Sequence, residues 1–244
     1  MRRLASLAVV ALALASCTAS EDPTDSVTVV LFDVSESTRT DDVRARYDET
    51  FGMVLGHLRE AGGVLGADIV DANPFAHGDL PINETFEPCT IMDNSLDCRR
   101  THDEQERRVL DASDAILENV SRGTDVFGAL ELAQEFFDAY PGSGERTVVL
   151  LSDMVQFANG MRLTGVETWT DTETGELLSR APSVDLDGVR VYVVGAGATA
   201  SAEMSPEHIE GIERFWSRWF EHAGAEIVFY GANLARYPIE EVEP

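Results

Sequence analysis

Runs rich in β-branched and large apolar residues recur along this chain, and between them lie stretches whose apolar residues repeat at helical spacing. Residues 27–32, Val-Thr-Val-Val-Leu-Phe, read as a strand covered on both faces, residues 147–152 read the same way, and residues 189–194 read as a strand. Residues 66–71 and 226–230 are predicted as two further strands. Helices are predicted over 42–60, where Tyr47, Phe51, Val54, Leu55 and Leu58 share a face, and over 103–120, with Val109, Ala112, Ile116, Leu117 and Val120 in register. A third is predicted over 125–140. A fourth starts at Ser205-Pro206-Glu207, an N-cap serine followed by proline, and carries Ile209, Ile212, Trp216, Trp219 and Phe220 as a core face. Residues 73–101 and 155–187 are polar and rich in turn formers, so they read as elaborated loops. Alternation of this kind predicts an α/β fold, a three-layer, Rossmann-like and mostly parallel sheet with helices on both faces.

The N-terminus changes the picture of where the domain lives. Arg2-Arg3 precedes an apolar stretch from Leu4 to Leu14 that is too short for a stable bilayer span, so residues 1–16 read as a signal peptide. Leu14-Ala15-Ser16-Cys17 resembles a bacterial lipobox, which implies lipidation of Cys17. Residues 17–26 then form a short anchored tether, at most about 30 Å long at ~3.3–3.6 Å per residue. One domain is expected over 27–235, with an acidic tail over 236–244. The expected location is extracytoplasmic, on a bacterial membrane through the lipid alone, with inner against outer membrane left open.

Charge and cysteines narrow the partners. The formal net charge is −26, and loss of Arg2 and Arg3 with the leader brings it to −28, so nucleic acid is excluded as a partner. All 18 basic residues are arginine. Cys89 and Cys98 remain once Cys17 is acylated, and in an exported chain they are expected to form a disulfide worth about 2–3 kcal/mol. Metal binding by that pair is not expected, because no second cysteine or histidine pair stands at ligand spacing. The five histidines, His57, His77, His102, His208 and His222, likewise show no zinc motif.

The candidate chemistry is a set of oxygen donors. Asp33, Ser35 and Ser37 directly follow the first strand, Asp153 ends the strand at 147–152, and Thr124 opens a helix. Carboxyl ends of strands line the ligand crevice in open α/β sheets, so distant strand-end aspartates can share one pocket. Two carboxylates and three hydroxyls, without sulfur or imidazole, suit a hard dication such as Mg²⁺, or Mn²⁺ or Ca²⁺ in its place.

These residues carry a resemblance. Asp33-Val34-Ser35-Glu36-Ser37 resembles the Asp-x-Ser-x-Ser signature of von Willebrand factor A domains, Gly123-Thr124 resembles that family's Gly-Thr segment, and Ser152-Asp153 resembles its strand-end aspartate. The match covers all five positions of the family's metal-ion-dependent adhesion site. The resemblance implies that Ser35, Ser37 and Thr124 hold the metal directly while Asp33 and Asp153 act largely through water. The metal then takes an Asp or Glu carboxylate from a protein ligand. Glu36, Thr38, Asp125 and Met154 are expected on the ligand rim, together with the insert over 155–187. Met154 departs from the family, which usually has glycine there.

Three functional readings follow. The first is a lipid-anchored, metal-dependent binding module that is not an enzyme. The second is a Mg²⁺-dependent phosphatase or phosphotransferase with Asp33 as nucleophile, weakened because Ser35 stands where that chemistry places a second aspartate. The third is a scaffold whose metal only braces loops.

Overall fold

The computed structural model describes residues 26–78, 80–90, 94–198 and 204–239. The signal peptide, Cys17, the tether through residue 25 and residues 240–244 lie outside the described residues. The central sheet has six strands in the order β3-β2-β1-β4-β7-β8, comprising β1 (Ser26–Asp33), β2 (Gly63–Val70), β3 (Ile82–Phe86), β4 (Glu145–Leu151), β7 (Val189–Val194) and β8 (Glu226–Gly231). Every pairing is parallel except β2 with β3. The architecture is α/β, as the alternation predicts.

Period-two burial explains the layering. Val27, Val29 and Leu31 of β1, with Val148 and Leu150 of β4, pack against α3 (Val126–Asp138) and α5 (Pro206–His222). Val30 and Phe32, with Val149 and Leu151, face α1 (Asp41–Ala61) and α2 (Ser95–Leu117) on the other side. Strands so enclosed must be apolar at successive positions, which is why they read as unbroken runs rather than alternating ones. Trp216 and Trp219 sit in the first core, 0 % and 4 % exposed. Thr40 caps α1 by accepting the Val43 N–H, and Gly62 ends it at φ 79°, a conformation favoured by glycine.

Both expected loops contain structure. Within 73–101, residues 82–86 form the antiparallel edge strand β3 and α2 begins at Ser95, eight residues before the predicted start. Only Ile82 and Phe86 of β3 are buried, so too few apolar positions repeat to mark the strand in sequence. Helix α2 ends at Leu117, and Val120 is 52 % exposed rather than in the core. Within 155–187 lie the hairpin β5 (Phe157–Ala158) and β6 (Met161–Arg162) and the helix α4 (Asp171–Arg180), which opens on a Thr170–Glu173 capping box. Strand β2 starts at Gly63, three residues before the prediction.

Cys89 and Cys98 form a disulfide with Cα atoms 6.0 Å apart. Residues 236–239, read in the sequence as the start of the tail, pack on the domain: the Tyr237 ring lies 5.1 Å from that of Tyr192, and the Ile239 N–H donates to the Tyr192 hydroxyl at 3.3 Å. No helix among the described residues is long and apolar enough to cross a membrane.

Candidate metal centre

The sheet order places the site. From β1 the chain crosses to β2 on one side, while β4 lies on the other, so the loops after β1 and β4 diverge and leave a crevice at their carboxyl ends. Phe32 is in register with Leu151, which sets Asp33 beside Ser152 and Asp153. The Ser152 hydroxyl donates to Asp33 Oδ2 at 2.7 Å across 119 positions of sequence. A third segment joins when the Ser121 N–H donates to the Val34 carbonyl at 3.1 Å, bringing the Gly123-Thr124 turn over the crevice.

Local hydrogen bonds fix the first loop. Asp33 Oδ1 accepts the Ser35 N–H at 2.9 Å, and Thr38 Oγ1 lies 2.8 Å and 3.0 Å from the carbonyl oxygens of Asp33 and Ser35. This folds the chain back so that the hydroxyls of Ser35 and Ser37 stand 3.0 Å apart. The Thr124 backbone pairs with Phe157, donating at 3.3 Å and accepting at 2.9 Å. Gly123 is required there, because a Cβ would meet Ala72 and the Phe157 carbonyl at 2.9 Å. Ser35, Ser37 and Thr124 thus line one cleft of about 460 Å³ together with Glu36, Ser121, Arg122, Val155, Phe157 and Thr164.

The two carboxylates do not line the cleft but are tied to its hydroxyl residues, Asp33 accepting the Ser35 N–H and Asp153 taking the Ser37 hydroxyl, while Asp153 borders a separate small cavity with Gly197, Met204, Ile209, Ile212 and Tyr230. Asp33 is fully buried, and burial first, then the charge of Asp153, pushes its carboxyl up to about 7 against the pull of Ser35 and Ser152. Burial also raises the Asp153 carboxyl, opposed by the Ser37 hydroxyl and the Val155 N–H. Asp153 Oδ1 accepts that N–H at 3.0 Å, whereas Oδ2 is buried and makes no hydrogen bond. Two buried carboxylates with an orphan oxygen, beside three hydroxyls, form a cation-shaped deficit of positive charge. The donor set fits a hard dication.

The rim is narrower than the sequence suggests. Glu36 is exposed beside the cleft. Thr38, Asp125 and Met154 are not at the surface, with exposures of 0 %, 3 % and 0 %. Thr38 is consumed by the turn after Asp33. Asp125 takes Gln156 Nε2 at 3.1 Å and Asn159 Nδ2 at 2.5 Å, so it anchors the β5–β6 hairpin to the Thr124 turn. Met154 has φ 65° and its side chain joins the α3/α5 core. Hydrophobic burial wins over exposure at that position. Val155, Phe157 and Thr164, from the insert expected at the rim, face the cleft together with Arg122, which no motif marks in sequence. Arg162 stacks on Phe157, its guanidinium carbon 4.4 Å from the ring centre. Ser152 was legible only as the neighbour of a strand-end aspartate, yet it bonds Asp33 directly.

No protein-family model matches this chain, and no curated protein matches it.

Proposed function

We propose that the chain is a divalent-metal-dependent binding module that captures a carboxylate-bearing protein ligand, built like a von Willebrand factor A domain and held to a bacterial membrane outside the cytoplasm by a lipid on Cys17. The observation that carries this reading is the convergence of Ser35, Ser37 and Thr124 in one cleft, with the buried Asp33 bonded to Ser35 and the buried Asp153 bonded to Ser37. Ser35, Ser37 and Thr124 would hold Mg²⁺ through neutral oxygens, and Asp33 and Asp153 would balance its charge. A dication held by neutral donors keeps its Lewis acidity and accepts an outside carboxylate.

This chain's own residues supply the rest. Asp33 is held by the Ser35 N–H and the Ser152 hydroxyl, which leaves it fully buried with both oxygens engaged. That arrangement suits a fixed counter-charge and ill suits a nucleophile, which needs a free oxygen in line with substrate. Arg122 at the cleft mouth gives a ligand acid a second point of attraction in a chain of net charge −26.

The test is a pair of measurements on the exported chain. Saturating Mg²⁺ should raise the melting temperature, since a ligand at about 100 times its Kd stabilises by about 2.7 kcal/mol. Asp33→Ala and Thr124→Ala should each abolish the rise. A surface of glutamate-containing peptide should then retain the protein in Mg²⁺ and release it in chelator, whereas the glutamine counterpart should not retain it. A metal response that survives both substitutions overturns the site. Retention that ignores chelator overturns the binding mode.

A further inference from the structure

Away from the cleft, three side chains converge for which the binding reading has no use. Cys89 follows the edge strand β3, Cys98 lies in the first turn of α2, and His102 stands one turn further along the same helix. Residues four apart share a helix face, so Cys98 and His102 both look toward Cys89. The ligand atoms of the three, the two Sγ and a ring nitrogen, all lie within 4.8 Å of one another.

The histidine is set up as a ligand. His102 is 5 % exposed, and its Nε2 lies 2.9 Å from the Glu87 carbonyl, which can only accept. Nε2 therefore carries a proton, and in the neutral ring the lone pair is on Nδ1. Nδ1 lies 3.9 Å from Cys89 Sγ. An imidazole whose far nitrogen is pinned to a carbonyl is the arrangement found at metal-ligating histidines, where the outer bond orients the ring and raises its basicity.

We propose that Cys89, Cys98 and His102 form a redox-gated metal centre that takes a zinc-class dication once a dithiol reductant has opened the disulfide. In the first step the dithiol gives two electrons and two protons, the bond between the two cysteine sulfurs breaks, two thiols form, and the reductant leaves as its own disulfide. In the second the dication displaces the two thiol protons to solvent. Two thiolates and a neutral imidazole around a dication sum to zero charge, which suits a half-buried position. A tetrahedral ion with metal–sulfur bonds of about 2.3 Å separates its sulfurs by about 3.8 Å, within reach of cysteines whose Cα atoms are 6.0 Å apart. The N-terminal end of α2 favours a thiolate at Cys98. The fourth position opens to a groove lined by Glu87, Asn94, Asp97, Thr101 and Arg108.

The experiment uses the full chain with Cys17→Ser, so that Cys89 and Cys98 are its remaining cysteines, in excess Mg²⁺ to occupy the oxygen-lined cleft. Co²⁺ is added as a spectroscopic substitute for Zn²⁺, before and after reduction by a phosphine. The reduced protein should bind one Co²⁺ per chain with thiolate-to-cobalt charge-transfer absorption. The oxidised protein should show none. His102→Ala should weaken binding by roughly 10-fold or more, and Zn²⁺ should restore the melting temperature lost on reduction in the unsubstituted protein but not in His102→Ala. Absence of the charge-transfer band after reduction overturns the proposal. So does equal binding by His102→Ala, which would mark two loose thiols rather than a three-ligand centre.

Discussion

The indole N–H of Trp216 donates to the carbonyl of Met154 at 2.8 Å. A core tryptophan on α5 thereby holds the left-handed residue that follows Asp153, so the loop bearing one of the two buried carboxylates is braced from the hydrophobic side. Trp216 is completely buried among Phe127, Phe215, Trp219 and Phe220. Trp216→Phe leaves the Met154 carbonyl without this donor in a dry environment, which costs about 1–3 kcal/mol. Urea unfolding should show that loss, and the Mg²⁺-induced rise in melting temperature should shrink with it. An undiminished rise would mean that Asp153 is held without Trp216.

Met154 itself sets two effects against each other. Its φ of 65° costs a side-chain-bearing residue about 1–2 kcal/mol relative to glycine. Its fully buried side chain contributes more, since removing a core methionine costs about 2–5 kcal/mol. Met154→Gly should therefore destabilise the protein by roughly 1–3 kcal/mol, read from the urea midpoint. A more stable glycine variant would show that packing at this position is weaker than the burial implies.

Asp68 predicts a pH effect away from the metal ligands. It lies fully buried in β2, with Oδ1 accepting the Ile69 N–H at 2.7 Å and Oδ2 without a partner. Burial raises its pKa above 3.8, opposed by the Ile69 N–H and by His77, whose Nδ1 is 3.8 Å away. A raised carboxyl keeps its proton in the folded state where the unfolded chain has lost it. Its contribution is then most favourable below 3.8 and declines as pH rises through the interval up to the folded value. Asp68→Asn removes that slope, so its stability relative to the unsubstituted protein should improve from acid to neutral pH. Thermal melts across that range check it; a constant difference would contradict the burial cost.

Arg122 separates metal binding from ligand binding. It lines the cleft mouth and is exposed. Arg122→Glu should preserve or enlarge the Mg²⁺ response while weakening retention on a glutamate-peptide surface by about 1–2 kcal/mol, a factor of roughly 5–30. Equal loss of both would place Arg122 in the support of the metal ligands instead.

Much of this fold is legible in the sequence alone. The strands at 27–32, 147–152 and 189–194 stand out because enclosure on both faces demands apolar residues at most successive positions, and a run of that kind has few other uses. Ser205 and Pro206 marked the start of α5 through local hydrogen-bond chemistry that needs no distant partner. The five oxygen donors stood out because each sits at a strand end or a helix start. Strand β3 and helix α4 were missed: each buries one thin stripe and is otherwise polar, so its apolar period is too faint to separate from loop composition.

Only tertiary structure decided which side chains face the cleft. Thr38, Asp125 and Met154 look like rim residues by position, but a hydroxyl drawn to two carbonyls, a carboxylate clasped by Gln156 and Asn159, and a thioether drawn into the core all turn inward. Arg122, Phe157 and Thr164 face outward because the Ser121 and Phe157 backbones pair with distant segments. His102 is likewise an ordinary helical residue until the disulfide draws Cys89 against it. Sequence sets what each segment prefers locally; the direction of a side chain depends on which buried polar groups find partners, and those partners come from elsewhere in the chain.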